Sequence, residues 1–453
     1  MRPLPGRFES RVPGTIGVQE KAGWKFYLVL ISLLLEFGRP QDVVPGLKMI
    51  PLPSLADLLI GLSVLFSGKL SLANTQTKVW VGLLCLMALH VPIATNNFHA
   101  LMTFKDMVLY FFLYLGITTY VDSIEKMRKL VAVWVGIHLI LAILGMMSAG
   151  KGVGGWLGDE NDFCMEMNAA VPFAYFMLLG LKHKPSKAFY FSLLCIFIMT
   201  AMVTLSRGGF IGLAAVGTYC WLKSSQKGRA VVLGGIVIIV VLIFAPEKYW
   251  EEMQSATSDQ TMTIGTGAER LYTWGIGWEM FLGHPIFGVG QGNFPWNFDE
   301  FQGAERFNTR SLAGRAAHSM YFTLLPELGL LGTGMFFMMI LSNYTTVGRV
   351  RVDAKRMTIT LSKDAKKEND VAFSVALSSA LEAAMVGYLV SSVFISTLYY
   401  PTVWILTGFV VALGNIATRE FVKDAPNVPP HPVRRPSARP IIPIPRIRPR
   451  PAS

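Results

Sequence analysis

Arg207 is the charged residue whose surroundings most restrict what it can do. It stands in the turn Ser206-Arg207-Gly208-Gly209, between two hydrophobic runs with almost no residues to connect them. A guanidinium at such a boundary is costly unless it snorkels to the interface or meets an anion. Because its planar fork stays charged and binds phosphate oxygens in pairs, we predict a phosphate clamp. A snorkelling arginine that only marks the helix ends is the alternative.

His318 is the second residue whose type suggests chemistry. It opens a long hydrophobic run, and an imidazole titrates near neutral pH, so it can take a proton from a hydroxyl group. A capping or interfacial histidine explains the position about as well. Arg270 and Arg315 are further cations of the same connecting segment. The other histidines show no metal-ligand spacing, so neither a metal site nor a cofactor is predicted.

Carboxylates form a third group. The cluster Asp159-Glu160-Asn161-Asp162 precedes a hydrophobic run and can bind a cation or act as a base, although Asn161 or Asp162 as a helix N-cap is the simpler explanation. Asp162 and Glu327 are the two candidates for a base or acceptor-binding role. Acidic residues inside hydrophobic runs normally face a cavity. They are Asp57, Asp106, Glu166, Glu327 and Glu382.

A membrane fold must position these residues. Of the 453 residues, 52% are hydrophobic and only 15% are charged. Soluble domains average about 25% charged residues, and one transmembrane helix uses ~20 apolar residues. The composition therefore excludes soluble, disordered and disulfide-rich secreted proteins, and it predicts an all-α polytopic protein with about twelve helices. Hydropathy places them at 24–38, 54–67, 79–95, 104–121, 130–148, 162–180, 188–205, 208–222, 230–246, 318–347, 372–398 and 400–418.

The basic residues predict the orientation, because Lys and Arg accumulate in cytoplasmic loops. With the N-terminus inside, 30 of the 41 Lys and Arg residues fall on the inner side, nine on the outer side and two within spans. Both termini, 1–23 and the Pro/Arg-rich tail 419–453, are therefore expected in the cytoplasm. The net charge of +12 is mainly this topology signal, so no nucleic-acid partner is predicted.

The long outer connection 247–317 separates helices 1–9 (24–246) from helices 10–12 (318–418). It is rich in aromatic residues, and hydrophobic residues at helical spacing predict an amphipathic helix over 268–282 at the membrane interface. The following Gly288-Val289-Gly290-Gln291-Gly292 looks like a nucleotide-binding loop. That interpretation is rejected because no strand precedes it and no helix-forming run is apparent after it.

Several of these segments together resemble the bacterial O-antigen ligase and polymerase superfamily, most closely its O-glycosylation ligase branch. The resemblance covers most of the chain. It rests on Arg39-Pro40-Gln41, Gly158-Asp159-Glu160-Asn161-Asp162-Phe163, Ser206-Arg207-Gly208, Arg270-Leu271-Tyr272-Thr273-Trp274, His284-Pro285-Ile286-Phe287-Gly288-Val289-Gly290, and His318-Ser319 followed by Glu327-Leu328-Gly329. Ile211 stands where leucine is frequent, which is a mild departure.

The resemblance implies a multi-pass glycosyltransferase of GT-C-like architecture in the bacterial inner membrane, with its active site facing the periplasm. Its donor would be a glycan on undecaprenyl diphosphate, and its acceptor a hydroxyl of lipid A core, of a glycan or of a protein. His318 would act on the acceptor, and Arg207, Arg270 and Arg315 would hold the diphosphate. The reaction is expected to invert the anomeric carbon without a metal and to serve lipopolysaccharide or other polysaccharide biosynthesis.

Two other classes of function remain open from the sequence. A transporter of lipid-linked sugars would also need intramembrane carboxylates, but it should show similarity between its halves, and none is evident. A non-catalytic scaffold of a polysaccharide assembly complex would tolerate loss of Arg207, Arg270 and His318. Within the enzyme class, ligation, polymerisation and transfer to a protein use the same donor chemistry.

Overall fold

A computed structural model of the protein describes residues 23–180, 184–224, 227–244, 266–302, 307, 312, 314–360 and 364–422. These residues form helices and connecting turns, and none of them lies in a β-strand. The prediction of an all-α protein is confirmed. The segment 1–22, residues 245–265 of the long connection and the tail from 423 lie outside the described residues.

Fourteen helices, counted within these ranges and numbered here in chain order, carry the architecture. They are α1 (Trp24–Leu33), α2 (Leu52–Phe66), α3 (Thr75–His90), α4 (Asn97–Tyr120), α5 (Ile124–Met147), α6 (Glu160–Gly180), α7 (Lys184–Val203), α8 (Arg207–Lys223), α9 (Lys227–Phe244), α10 (Thr266–Gly283), α11 (Phe294–Gln302), α12 (Tyr321–Thr360), α13 (Ala365–Ser391) and α14 (Pro401–Ala417). A π-helical turn, Leu34–Gly38, continues α1.

Each of the twelve predicted spans falls on one of these helices. Seven are long and apolar enough to cross a membrane: Asn97–Tyr120, Ile124–Met147, Glu160–Gly180, Pro185–Val203, Tyr321–Met357, Ala365–Ser391 and Pro401–Phe421. The helix Leu52–Phe66 is apolar but shorter. The protein is therefore a multi-pass membrane protein, and the count of twelve stays a prediction.

Side-chain caps explain where several helices begin. The side chain of Asn96 accepts from His99 N at the start of α4, and Ser123 does the same for Lys126 N at the start of α5. Ser206 accepts from Gly209 N, 3.0 Å away, at the start of α8. Such caps satisfy amide groups that have no partner inside the helix. They fix the first residues of each helix and hence the turns that carry the candidate site.

The centre of the bundle is built from α6, α13 and α14, whose residues are mostly buried. Polar groups there are satisfied internally, as the membrane interior requires. His138 Nε2 lies 2.9 Å from Glu166 Oε1, and Thr402 donates to Glu166 Oε2 at 2.6 Å. His138 is buried and bonded within the bundle, which is typical of a structural residue.

Contacts between connections divide the bundle into two ends. At one, which we call the loop-rich end, Asn96 N donates to Asn293 Oδ1 at 2.7 Å and Met320 N donates to Ser392 O at 2.8 Å. At the other, which we call the basic end, Arg419 Nη2 donates to Asp122 O at 3.0 Å. The residues predicted to do chemistry all lie at the loop-rich end.

Candidate functional site

Arg207 is the first residue of α8, and the packing below it sets its position. A Cβ atom on Gly209 would lie 2.2 Å from Cys164 Sγ in α6, and one on Gly212 would lie 2.0 Å from Ser391 Oγ in α13. Small residues of this kind let membrane helices approach closely. Leu205, two residues before Arg207, takes the left-handed conformation with φ 56°. Arg207 is thus presented from a tight turn that cannot shift without disturbing two neighbouring helices.

Helix α10 carries Arg270, on which the charge of Arg207 acts. The observed helix, Thr266–Gly283, includes the predicted segment 268–282. Its buried side is formed by Thr273, Ile276 and Met280. The helical spacing of Leu271, Trp274, Trp278 and Phe281 predicts one apolar face. Two of these residues, Leu271 and Trp278, are exposed instead. The apolar residues of α10 therefore point in two directions, towards the protein and away from it.

The same helix holds the segment that contains His318. Trp274 Nε1 donates to Ala317 O at 2.9 Å, and its ring stacks on Phe322 with the ring centres 5.1 Å apart. One turn earlier, Glu269 Oε2 accepts from Arg315 Nη1 at 2.6 Å. Three contacts thus fix the residues on both sides of His318 to α10.

His318 itself sits in a strained turn. Its backbone has φ 48°, a left-handed conformation that is uncommon outside glycine, and its side chain is exposed to solvent. Two residues later, the Met320 amide donates to Ser392 O at 2.8 Å, just before α12 begins. The contacts on either side hold the imidazole at the surface of the loop-rich end.

Electrostatic interactions connect these residues. Partial desolvation lowers the pKa of Arg270, the charge of Arg207 lowers it further, and Asp159 raises it. Partial desolvation also lowers the pKa of His318, and Arg270 lowers it more, whereas Asp159 acts in the opposite direction. The charge of Arg207 thus acts on Arg270, and the charge of Arg270 acts on His318. A bound anion would relieve the repulsion between the arginines, and the lowered pKa of His318 favours its neutral imidazole.

Arg315 is the weakest of the predicted diphosphate ligands. Its side chain is 49% exposed and forms an ion pair with Glu269. Its charge nevertheless acts on His318 and lowers the pKa of that residue. Arg315 therefore belongs to the cluster, but its guanidinium already has a carboxylate partner.

Asp159, and not Asn161 or Asp162, caps helix α6. Its Oδ1 accepts from Asn161 N at 2.8 Å, which makes Asp159 the N-cap of α6; the expectation that Asn161 or Asp162 caps this helix is wrong. Asn161 Oδ1 instead accepts from Ser206 Oγ at 2.7 Å, linking the starts of α6 and α8. Within an acidic run, the sequence does not distinguish caps one residue apart. The distinction comes from tertiary contacts.

Asp162 is separate from the cluster of Arg207, Arg270 and His318. It is buried in the first turn of α6, and its Oδ2 accepts a hydrogen bond of 3.1 Å from the Tyr400 hydroxyl. The charges that act on His318 come from Arg270, Asp159 and Arg315, and Asp162 is not among them. Its predicted role as a base remains a prediction.

Glu327 connects helix α12 to the segment 284–294. Its carboxylate accepts from Gly292 N at 2.7 Å, from Phe294 N at 2.8 Å and from the Tyr399 hydroxyl at 2.6 Å. Helix α12 is interrupted just after it, at Gly329 with φ 61°, where the Leu330 amide donates to Pro285 O at 2.8 Å. With three donors on a carboxylate that is only 1% exposed, Glu327 ties the 284–294 segment to α12.

The glycine-rich segment 288–292 does precede a helix, which corrects the expectation that no helix-forming run follows it. Helix α11 begins at Phe294, and the amides at its start point to the carboxylate of Glu327. A helix N-terminus attracts an anion, and here a side chain of the same protein supplies it. The rejection of a nucleotide loop keeps a physical basis, because the position of the phosphate is filled.

No group of three or more His, Cys, Asp or Glu side chains among the described residues is arranged to hold a metal ion. Of the nine predicted outer cations, Lys248, Arg306 and Arg310 lie outside the described residues. The candidate site therefore consists of Arg207, Arg270 and His318, with Asp159 and Arg315 at its edge.

Two comparisons with known proteins bear on this site. Residues 191–337 match the family model described as O-antigen ligase, a stretch that contains Arg207, Arg270, Arg315, His318 and Glu327. The chain is also 24% identical over 341 residues to the teichuronic acid biosynthesis protein TuaE of Bacillus subtilis (strain 168). That alignment covers 68% of this chain and 65% of the relative, so the chain spans slightly less than two thirds of the relative's own length. Together with the polytopic helical fold, these matches make the chain similar to the O-antigen ligase and polymerase superfamily, and they support the resemblance seen in the sequence.

Proposed function

We propose that the protein transfers a glycan from undecaprenyl diphosphate to an acceptor hydroxyl at the periplasmic face of the bacterial inner membrane. One observation carries the proposal: Arg207 repels Arg270, and the charge of Arg270 in turn lowers the pKa of His318. The arginines suit a leaving diphosphate, and the neutral imidazole suits a proton acceptor. The match of residues 191–337 to the O-antigen ligase family supports glycan transfer at a membrane in general.

The proposed reaction is a direct displacement. The acceptor oxygen attacks the anomeric carbon while His318 takes the hydroxyl proton. The bond between that carbon and the diphosphate oxygen breaks, and its electron pair leaves with the diphosphate. Arg207 and Arg270 stabilise the negative charge where it develops, so the protein's own cations supply the electrostatic term without a metal ion. Attack from the side opposite the leaving group inverts the anomeric configuration.

The acceptor has three candidate classes: lipid A core, a growing glycan or a protein hydroxyl. Polymerisation onto a glycan is a second candidate function because TuaE is named for the biosynthesis of teichuronic acid. All three classes present a hydroxyl to the same histidine. The identity of the product lost on deletion of the gene, whether lipopolysaccharide ladder, free polymer or glycoprotein, distinguishes them.

The proposed orientation places the loop-rich end in the periplasm and both termini in the cytoplasm, with twelve spans in a GT-C-like arrangement. The distribution of basic residues supports it, since 30 of 41 fall on the opposite side. Cysteine accessibility would test the orientation in spheroplasts. A cysteine at Lys151 should react with an impermeant maleimide, and one at Glu368 should react only after lysis.

The central experiment uses the purified protein in lipid nanodiscs with an undecaprenyl-diphosphate glycan and a hydroxyl acceptor. We expect a new glycosidic bond of inverted configuration by NMR, with the rate unchanged by excess chelator. A rate that collapses with chelator would contradict the metal-free mechanism. Movement of the donor across a bilayer without a new bond would establish a transporter instead. Unaltered glycan output from cells in which Arg207, Arg270 and His318 are all changed to alanine would establish a scaffold.

A further inference from the structure

A second polar cavity opens at the loop-rich end, separate from the arginine and histidine cluster. It has a volume of about 370 Å³. It lies between the π-helical turn Leu34–Gly38, α2, α4 and the turn Gly155–Leu157. That volume is in the range of small-molecule sites. Its walls include Glu36, Asp57 and Asp106 together with Arg39 and Trp156. None of these residues takes part in the mechanism above.

The carboxyl groups of this cavity are costly to maintain. Glu36 is 5% exposed and Asp57 is 1% exposed, and both lie in apolar helical segments. Ser32 donates to Asp57, and the groups that act on Glu36 are the Arg39 guanidinium, the Asp106 carboxylate and the Trp156 indole. Carboxyl groups buried at membrane depth usually serve a ligand or a transported species. Here they border an open volume rather than packed protein.

Aromatic rings line the other side. The ring of Trp156 contacts the rings of Phe37 and Tyr400, and its centre lies 5.6 Å and 5.4 Å from theirs. Tyr110 and Tyr399 complete this wall. Carboxyl oxygens accept hydrogen bonds from sugar hydroxyls, and aromatic rings pack against the apolar C–H faces of a pyranose. A wall of each kind around a cavity of this volume matches a sugar unit.

The charge of the cavity restricts which sugar can bind. Among its described lining residues, three are acidic and one, Arg39, is basic. Arg39 is paired with Asp42 at 2.5 Å, and Asp106 is paired with Lys105 at 3.1 Å. A uronic acid or a phosphorylated sugar would bring a negative charge into a cavity whose lining cation already has a carboxylate partner, which is unfavourable at low dielectric. Neutral sugars and amino sugars avoid that cost.

The cavity adjoins the proposed reaction centre through one short loop. Trp156 lines the cavity, and Asp159, three residues later, acts on His318 and Arg270. A Cβ atom on Gly155 would lie 2.1 Å from Arg39 Nη2, so the same loop packs directly on the guanidinium. Tyr400, which also lines the cavity, donates to Asp162.

We propose that this cavity binds the acceptor saccharide, as a neutral or amino sugar without an acidic group. The inference rests on the proposed function, because the Arg207 and Arg270 pair then takes the diphosphate of the donor. The reacting end of the acceptor carries no phosphate and suits a cavity lined by carboxyl groups. A sugar held there would lie beside the loop that leads to Asp159, whose charge acts on His318.

Direct binding tests this assignment without requiring catalysis. The probes are the methyl glycosides of N-acetylglucosamine, glucosamine and glucuronic acid, titrated by saturation-transfer NMR onto the full-length protein in nanodiscs. We expect one or both of the first two to bind, and the glucuronide to bind about tenfold more weakly or not at all, as expected for one unfavourable charge contact. Trp156→Ala and Glu36→Gln should each weaken binding about tenfold or more. His318→Ala should bind as the wild type does.

Two controls separate binding from folding. Trp156→Phe keeps a ring and should retain most of the affinity, and Ser63→Ala, which lies on α2 outside the cavity lining, should change nothing. In the transfer assay, Trp156→Ala should raise the KM for the acceptor and leave the KM for the donor unchanged. Equal binding of the glucuronide, equal binding by Trp156→Ala and Glu36→Gln, or no binding by any probe would overturn the assignment. A wild type that transfers glycan but binds no probe contradicts only this inference, whereas one that binds probes but forms no bond contradicts only the proposed function.

Discussion

The two ends of the helix bundle use their cations differently. At the basic end, cations meet carboxylates: Arg128 Nη2 lies 3.0 Å from Asp370 Oδ1, and both Lys223 and Arg351 pair with Glu382. At the loop-rich end, Arg207 and Arg270 act on each other with like charge, and no described carboxylate forms an ion pair with Arg270. Cations paired with carboxylates hold helices together, whereas the like charges of Arg207 and Arg270 favour the binding of an anion near them.

Backbone strain separates the two ends in the same way. The described residues other than glycine with positive φ are Arg39, Ala149, Leu205 and His318, and all four lie at the loop-rich end. Such conformations cost of order 1–3 kcal/mol each and persist where the surroundings enforce them. Leu205 precedes Arg207 by two residues, and Arg39 lines the second cavity. These differences in ion pairing and backbone strain indicate that the loop-rich end is organised for ligands and the basic end for stability.

Replacing His318 should produce the largest effect. His318→Ala removes the proposed proton acceptor, and we expect the transfer rate to fall by about 10²- to 10⁴-fold. The matched control is His284→Ala, an exposed histidine of the same end whose ring contacts Phe301. It should retain activity within a few-fold. Equal loss in both variants, measured as the initial rate of glycan transfer, would remove His318 from the mechanism.

The arginine pair should rank next. Arg207→Ala and Arg270→Ala each remove a donor placed at the leaving diphosphate, and we expect losses of about 10²- to 10³-fold in kcat. Arg207→Lys keeps the charge but loses the bidentate fork, so its activity should fall between the wild type and the alanine variant. Lys151→Ala, an exposed cation of the same end, serves as the control. Full activity in Arg207→Ala would show that the cluster does not hold the donor.

A variant at the basic end should show the opposite pattern. Arg351→Ala takes one of two cations away from Glu382, whose side chain is only 7% exposed, and should cost about 1–3 kcal/mol of stability. The midpoint of thermal unfolding should fall, and the rate per folded molecule should stay close to that of the wild type. Lys223→Ala removes the more exposed partner and should cost less. A large loss of specific activity in either variant would break the distinction between the ends.

The sequence was sufficient to predict helices, because each hydrophobic run it marks as a span overlaps a helix of the structure. The scarcity of outer cations also pointed to Arg207 and Arg270 as candidates for the site. It was not sufficient for Asp159 or for the joint at Glu327. The cap at Asp159 and the three donors on Glu327 depend on which segments meet in space. Neither is visible from spacing along the chain.

The smallest effects should come from charges that surround His318 without touching substrate. Transfer requires the neutral imidazole, so the rate should rise with pH through the pKa of His318, which is lowered from its ordinary value, and then level off. Arg315→Gln removes a positive charge that lowers this pKa, so the acidic limb of the profile should move to higher pH. Asp159→Asn removes a negative charge that raises it and still allows a helix cap, so the limb should move to lower pH. Profiles of kcat/KM at saturating donor measure both shifts, with Lys151→Gln as the neutral comparison. Displacements of the same sign in the two variants would mean that another group controls the profile, because opposite charges acting on one imidazole must shift its pKa in opposite directions.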